Sequence, residues 1–269
     1  MAHVTSETRP PAVAGLFYPA DPGELRAMVE AYLAEAAARL PEGTPVPKAV
    51  IAPHAGYIYS GPVAATAYAA LAPARGRIRR VVLLGPSHRV PFRGIAAPGA
   101  AWFETPFGRV PVDREAIAEI LELPQVQVLD AAHAQEHSLE VHLPFLQAVL
   151  GDFALVPLVV GDATPQEVAE VIERLWDGPE TLIVVSSDLS HYLDYDTARR
   201  IDAVTARAIE NLQPEAIGYE QACGRIPVNG LLWAARRHGL HAHTMDLRNS
   251  GDTAGPRDQV VGYGAWLFH

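Results

Sequence analysis

Five stretches of the chain are apolar without polar alternation and end at Gly, Pro or Ser. They are KAVIAPHAG (48–56), RRVVLLGPSH (79–88), ALVPLVVGD (154–162), TLIVVSSD (181–188) and QVVGYGAWLF (259–268). Short continuous runs of this kind suit strands buried on both faces of a sheet. Between them lie segments with helical spacing of apolar positions: Pro62 to Leu71, Asp113 to Leu121, Ser138 to Leu150, Pro165 to Trp176, Tyr195 to Leu212 and Val228 to His238. Asp162 with Thr164 and Pro165, and Asp21 before Pro22, read as helix starts. Strand–helix alternation predicts an α/β fold, a mostly parallel or mixed sheet flanked by helices. The piece from Phe92 to Val112, rich in Gly and Pro, reads as a hairpin-like excursion. Pro41 to Pro47 (PEGTPVP) reads as a linker between an N-terminal helix and the body. With no internal repeat and no further shift in composition, residues 1–269 are expected to form a single domain.

Composition narrows the function. The chain is 49% hydrophobic and 19% charged, which supplies a core and excludes disorder as its main state. Acids outnumber bases 31 to 21, leaving few charges for a phosphate-neutralising face, so no nucleic-acid partner is expected. The single cysteine, Cys223, excludes an intrachain disulfide and a thiolate cluster, fits a reducing cytoplasm, and reads as a small buried hydrophobe. The start MAHVTSETRPP has no apolar signal region and no run is long enough to span a bilayer, so a cytoplasmic protein without a membrane partner is expected. Lys48 is the sole lysine, which leaves little room for Schiff-base chemistry.

Histidine is the unusual residue, with eleven copies, and three of the apolar runs end in one. AVIAP leads to His54, VVLLGPS to His88, and LIVVSSDLS to His191, with Asp188 three residues earlier. In an open α/β sheet ligands bind beyond the carboxyl ends of the strands, so parallel strands would bring all three imidazoles to one edge. A fourth polar cluster, His133, Glu136, His137, Glu140 and His142, serves equally as a helix start with capping carboxylates. It lacks the order of the zinc-protease HExxH pattern. A fifth candidate is the loop RNSGDTAGPRD before the last strand, with Asp252 and Asp258. Tyr57 and Tyr59 could line a pocket or simply pack, and Ser186 and Ser187 lack a nucleophile elbow. Imidazoles and carboxylates without thiolate suit iron, zinc, manganese or copper, and two histidines with one carboxylate form the facial triad of non-haem iron(II) oxygenases. His54, His88 and Asp252 could be that triad. His191 would then act as an acid–base group oriented by Asp188, or as a further ligand.

Several of these residues sit in longer motifs. RPPAVAGLFYP (9–19), APHAGYIYSG (52–61), LGPSH (84–88), EHSLEVHLPFLQ (136–147), SSDLSHYLDY (186–195), ACGRIPVNGLL (222–232) and SGDTAGPRDQVVGYGAW (250–266) resemble the Memo-like family in order and over nearly the whole chain. Within it they resemble the prokaryotic group called AmmeMemoRadiSam system protein B. The resemblance implies a fold similar to the class III extradiol dioxygenases, with a metal-type pocket at the sheet edge. It maps the family histidines to His54, His88 and His191, the aspartate to Asp188, and the EHS histidine to His137, which joins His191 and Asp188 as a catalytic candidate. Animal members carry a cysteine ligand in the loop before the last strand, where this chain has Asp252 or Thr253. The resemblance further implies a divalent metal, iron(II) foremost with copper or zinc as alternatives, and an AMMECR-like protein and a radical SAM protein as partners. It suggests a redox or modification step. Three activities compete: a metal-dependent, dioxygenase-like oxidoreductase; a scaffold or signalling protein that captures a peptide or anion in the same pocket; and metal-assisted hydrolysis.

Overall fold

The computed structural model describes residues 7–269. In chain order it contains β1 (Thr8–Arg9), α1 (Pro22–Arg39), β2 (Ala49–Ala52), α2 (Tyr57–Ala69), β3 (Arg80–Pro86), β4 (Ile95–Ala97), β5 (Trp102–Thr105), β6 (Gly108–Pro111) and α3 (Arg114–Ile120). These are followed by β7 (Val126–Val128), α4 (Asp130–Ala134), α5 (Leu143–Leu150), β8 (Ala154–Val160), α6 (Pro165–Arg174), β9 (Thr181–Ser186) and β10 (His191–Leu193). The chain closes with α7 (Tyr195–Glu210), α8 (Arg225–His238), β11 (Ala242–Asn249) and β12 (Val260–Phe268). Asp21 caps α1 by accepting from the Gly23 and Glu24 amides, and Thr164 with Glu167 forms a capping box on α6, as the sequence predicts.

Every residue of β2 and β9 is buried, as is all of β3 and β8 beyond the first residue, which is why these runs carry no polar alternation. They form the parallel centre of a nine-stranded sheet with order β10-β12-β2-β9-β3-β8-β4-β7, β11 pairing with β12. The sheet is mixed, because β12 runs antiparallel to β2 and β4 antiparallel to β8. The steps β2 to β3 and β3 to β8 move one way along the sheet, and the step β8 to β9 returns. Right-handed crossovers therefore put α2 and α5 on one face and α6 on the other. α1 packs on α2 and α5, and α8 packs on α6, β3 and β9. Among the described residues no helix is long and apolar enough to cross a membrane.

Three elements differ from the sequence reading. The segment 92–112 divides: β4 joins the main sheet, while β5 and β6 form a hairpin that pairs with β1 in a separate three-stranded sheet. The helix expected from Ser138 begins as α5 only at Leu143, because Ser138 is committed to the Pro86 carbonyl, to which its hydroxyl donates at 2.8 Å. α2 starts at Tyr57, ahead of Pro62, which lies inside it.

Lys48 ties the start of β2 to the turn before β9. Its ammonium donates to the carbonyls of Trp176 (2.5 Å), Gly178 (2.9 Å) and Thr181 (2.9 Å) and lies 5.2 Å from the Trp176 ring centre. Partial burial pushes its pKa down to about 8, against the pull of Glu180 and Asp177. Replacing Lys48 by Met leaves those carbonyls without their donor. The expected loss is about 1–3 kcal/mol of stability, read from urea unfolding. An unchanged midpoint would mean that water serves the carbonyls equally well.

Candidate functional site

Ala52 and Ser186 are register partners, so His54 and Asp188 leave adjacent strands at the same level. One strand over, Leu84 lies beside Val185, which carries His88 to the same rim. This rim is the carboxyl edge where crossovers leave in opposite directions, the place where open α/β sheets bind ligands. The rings of His54 and His88 are 5.1 Å apart, centre to centre. His137, from the segment before α5, joins them at 5.4 Å from His54 and stacks on His88 at 4.6 Å. The three imidazoles, Asp188 and His191 line one pocket of about 540 Å³, walled on the apolar side by Phe17, Tyr59 and Tyr263.

His54 and His88 are each anchored by a carboxylate at the backbone amide and pinned at Nδ1. The His54 amide donates to Asp188 Oδ1 (2.7 Å), and His54 Nδ1 lies 2.6 Å from Ser186 Oγ. The His88 amide donates to Glu136 Oε2 (2.6 Å), and His88 Nδ1 lies 2.9 Å from Glu136 Oε1. Glu136 Oε1 also accepts from the amides of His137 and Ser138. Burial alone would raise the Glu136 pKa, but the hydrogen bonds and charge interaction from His88, with help from Ser138, bring it down to about 2. Burial, aided by the neighbouring histidines, holds His54 well below its ordinary range and His137 at about 4, so both imidazoles are neutral at physiological pH.

Cys223 completes the cluster. Its Sγ lies 3.4 Å from His54 Nε2, and burial first, then Asp188, pushes its thiol up to about 12. His54, His88 and Cys223 can each turn one donor atom toward a common point. Cys223 arrives through a close approach. A Cβ on Gly224 would sit 2.4 Å from the Ser186 carbonyl oxygen, so only glycine lets the start of α8 press against the end of β9. The sequence reading of Cys223 as a buried hydrophobe missed this, because the residue comes from a helix start and belongs to none of the strand ends.

Two other expectations need correction. Asp252 does not face the pocket. Its short turn (Ser250–Asp252) directs the carboxylate back to its own backbone, where it accepts from the Asn249 amide (3.1 Å) and from the Tyr195 hydroxyl (2.5 Å), with Arg257 nearby. Thr253 is likewise turned inward, to the Ser250 carbonyl. Nor does Asp188 orient His191. Asp188 holds His54, while His191 Nδ1 donates to the Leu189 carbonyl at 2.8 Å, leaving Nε2 without a partner among the described residues. The 133–142 cluster splits. His133 packs against Phe103 and bonds the Ala96 carbonyl away from the pocket. Glu140 pairs with Arg9 and accepts from the Ala12 and Val13 amides and the Tyr18 hydroxyl, which secures the segment that bears Phe17. Tyr57 packs and donates to the Val141 carbonyl, whereas Tyr59 lines the pocket. Tyr192, at the pocket wall, has φ 59°, a left-handed conformation that non-glycine residues rarely adopt.

Comparison with known proteins bears on this arrangement. Residues 9–267 match the Memo-like protein family. The chain belongs to the Memo-like family. MEMO1 family proteins of Ignicoccus hospitalis and Aquifex aeolicus are 40% and 38% identical to it, with 97% of this chain and 98% of the relative covered in each case. The crystal structure of uncharacterized protein JW3007 from Escherichia coli K12 is similar in fold at 12% identity and a TM-score of 0.51, covering 80% of this chain and 98% of that one. That likeness extends to architecture alone.

Burying neutral histidines ties stability in this Memo-like protein to pH. His133 and His137 titrate at about 4 and His142 at about 3, with burial the leading cause, against 6.5 for an ordinary imidazole. Their folded pKa values are depressed, so the stabilisation is complete above pH 6.5 and is lost as the unfolded chain takes up protons below it. Asp188 and Asp202, both raised to about 6 by burial, act in the opposite sense only below that value. The urea midpoint of metal-free protein is expected to fall steadily from pH 7 to pH 5. A flat profile over that range would mean the imidazoles are solvated.

Proposed function

We propose that this protein holds a divalent metal ion between His54 Nε2 and His88 Nε2, with Cys223 Sγ as third donor, and transforms a small organic molecule in the adjoining pocket. One observation carries the reading: the Nδ1 atoms of both histidines are engaged by Ser186 and Glu136, while His54 Nε2 lies beside Cys223 Sγ and both histidines line the pocket. Fixing the outer nitrogen by a hydrogen bond is the usual support for a metal-binding imidazole. Glu136 lies near enough to be a donor itself, but its oxygens already accept four N–H groups, so it acts by orienting His88. The buried His137 Nδ1 makes no hydrogen bond among the described residues and lies 3.4 Å from Glu136 Oε1, so this nitrogen faces the carboxylate.

Two imidazoles and a thiol are a softer set than the two-histidine, one-carboxylate triad of the sequence reading. They suit iron(II), zinc or copper and disfavour magnesium or calcium. Iron(II) is the member of this group that fits the redox chemistry implied by the resemblance to dioxygenases. The ion would supply Lewis acidity and, for iron, redox capacity. The protein's own residues would supply the rest. His191, with Nε2 free, and neutral His137 are placed to move protons at the pocket wall. Phe17, Tyr59 and Tyr263 offer apolar surface to the occupant and exclude water.

Metal analysis of protein purified without a histidine tag tests the site. Wild type is expected to hold close to one equivalent and the His54→Ala/His88→Ala double variant little; equal, negligible metal in both would refute it. Cobalt(II) loading should give a thiolate-to-metal absorption that Cys223→Ser removes, and its presence in that variant would reject Cys223 as donor. Oxygen uptake by iron-loaded protein over a panel of catechol-like compounds tests the catalytic half. No uptake with any of them at full iron content would leave capture, and not oxygen-dependent catalysis, as the role of the pocket.

A further inference from the structure

Behind His54 lies a chain of buried polar groups that runs away from the pocket. Ser186 Oγ has three partners: the Ser138 carbonyl oxygen (2.6 Å), His54 Nδ1 (2.6 Å) and His142 Nε2 (2.7 Å). His142 Nδ1 in turn lies 2.5 Å from the Tyr68 hydroxyl. Tyr68, His142, Ser186 and His54 are all buried.

Proton counting leaves one arrangement. A serine hydroxyl has one hydrogen and two acceptor sites. The carbonyl of Ser138 cannot donate, so the Ser186 hydrogen points to it. Both imidazole nitrogens must then donate to Ser186 Oγ. His54 carries its proton on Nδ1 and His142 carries its own on Nε2. Because His142 is neutral, its Nδ1 accepts from Tyr68, and that bond adds to the preference for the Nε2–H tautomer that Ser186 sets. His54, also neutral, is left with a lone pair on Nε2, which is the atom 3.4 Å from Cys223 Sγ.

We propose that Tyr68, His142 and Ser186 form a positioning chain that locks His54 in its Nδ1–H tautomer and keeps the Nε2 lone pair presented to the pocket. The use made of that lone pair rests on the metal reading above; the lock itself does not. Without the Ser186 hydroxyl, a proton on Nδ1 would be buried with no acceptor. It would move to Nε2, where Asp188 Oδ2 lies 3.9 Å away, and the lone pair would turn from the pocket.

The test is nitrogen-15 NMR of metal-free protein labelled at histidine, at neutral pH, with His54 and His142 assigned from His54→Gln and His142→Gln. Two-bond proton–nitrogen correlations report which ring nitrogen bears hydrogen. In wild type, His54 is expected with hydrogen on Nδ1 and His142 with hydrogen on Nε2. Ser186→Ala should move the His54 proton to Nε2 and weaken cobalt(II) affinity about 10- to 100-fold, the usual effect of losing an outer-shell partner. Ser186→Thr, which keeps the hydroxyl, should restore the wild-type tautomer. If Ser186→Ala does not fold, Ser186→Cys serves instead: its weakly accepting sulfur should leave His54 populating both tautomers, and a His54 held wholly on Nδ1 in that variant would overturn the proposal. A wild-type His54 protonated on Nε2, or a folded Ser186→Ala that keeps the wild-type tautomer, would overturn the proposal. Wild type with the expected tautomer but no metal affinity would overturn the metal reading and leave the lock standing.

Discussion

The register between β2, β9 and β3 is the constraint on which the site depends. These strands are buried on both faces, so no side chain along them can meet a ligand, and only their ends remain for chemistry. Pairing Ala52 with Ser186 and Leu84 with Val185 brings His54, His88 and Asp188 to one rim although His54 and Asp188 are 134 residues apart in the chain. A slip of one residue would reverse the facing of every side chain on the shifted strand and destroy the packing of both helical layers. The apolar interior therefore enforces the polar geometry at the rim.

That geometry has an electrostatic difficulty, which the fold resolves the same way twice. Imidazoles gathered at a few ångströms repel one another if protonated, and carboxylates placed among them invite protonation. Glu136 and Asp188 are instead turned onto the backbone amides of His88 and His54. Each carboxylate fixes the chain where a histidine leaves a strand, and burial keeps His54 and His137 neutral. Glu140 extends the pattern to the N-terminal segment. By holding Arg9, Ala12, Val13 and Tyr18 it sets Phe17 against His137, with ring centres 4.7 Å apart.

Much of this was legible in the sequence, for physical reasons that also mark where legibility ended. Strands buried on both faces announce themselves as unbroken apolar runs, so the sheet centre and the rim carrying His54, His88 and Asp188 followed from pattern alone. β11 did not, because Thr244 to Arg248 are all half-buried and His243, Asp246 and Arg248 interrupt the apolar signal. Within the 133–142 cluster, Glu136 and Glu140 look alike in sequence, and only tertiary placement sends one to His88 and the other to Arg9. Asp252 suggests itself as a ligand because a carboxylate in the glycine-rich loop before the last strand would complete a two-histidine, one-carboxylate set. The short turn that directs it to its own backbone leaves no mark in composition.

The replacement of Asp252 by Cys223 in the cluster follows from what each loop is free to do. The turn from Asn249 to Asp252 satisfies itself: the Asn249 side chain accepts from the Gly251 amide, and Asp252 accepts from the Asn249 amide. Pulling that carboxylate into the pocket would strip the turn of its closure. The start of α8 has no side-chain cap of its own. Its Gly224 amide is served by the Ser187 hydroxyl and its Cys223 amide by the Asp188 carbonyl, both on the segment that leaves β9. The helix is thus capped by the same rim that carries the histidines, and the residue preceding Gly224 has to face His54. Ser187 and Asp188 are spent on holding α8 and His54 in place, and the donor left over at that junction is a sulfur.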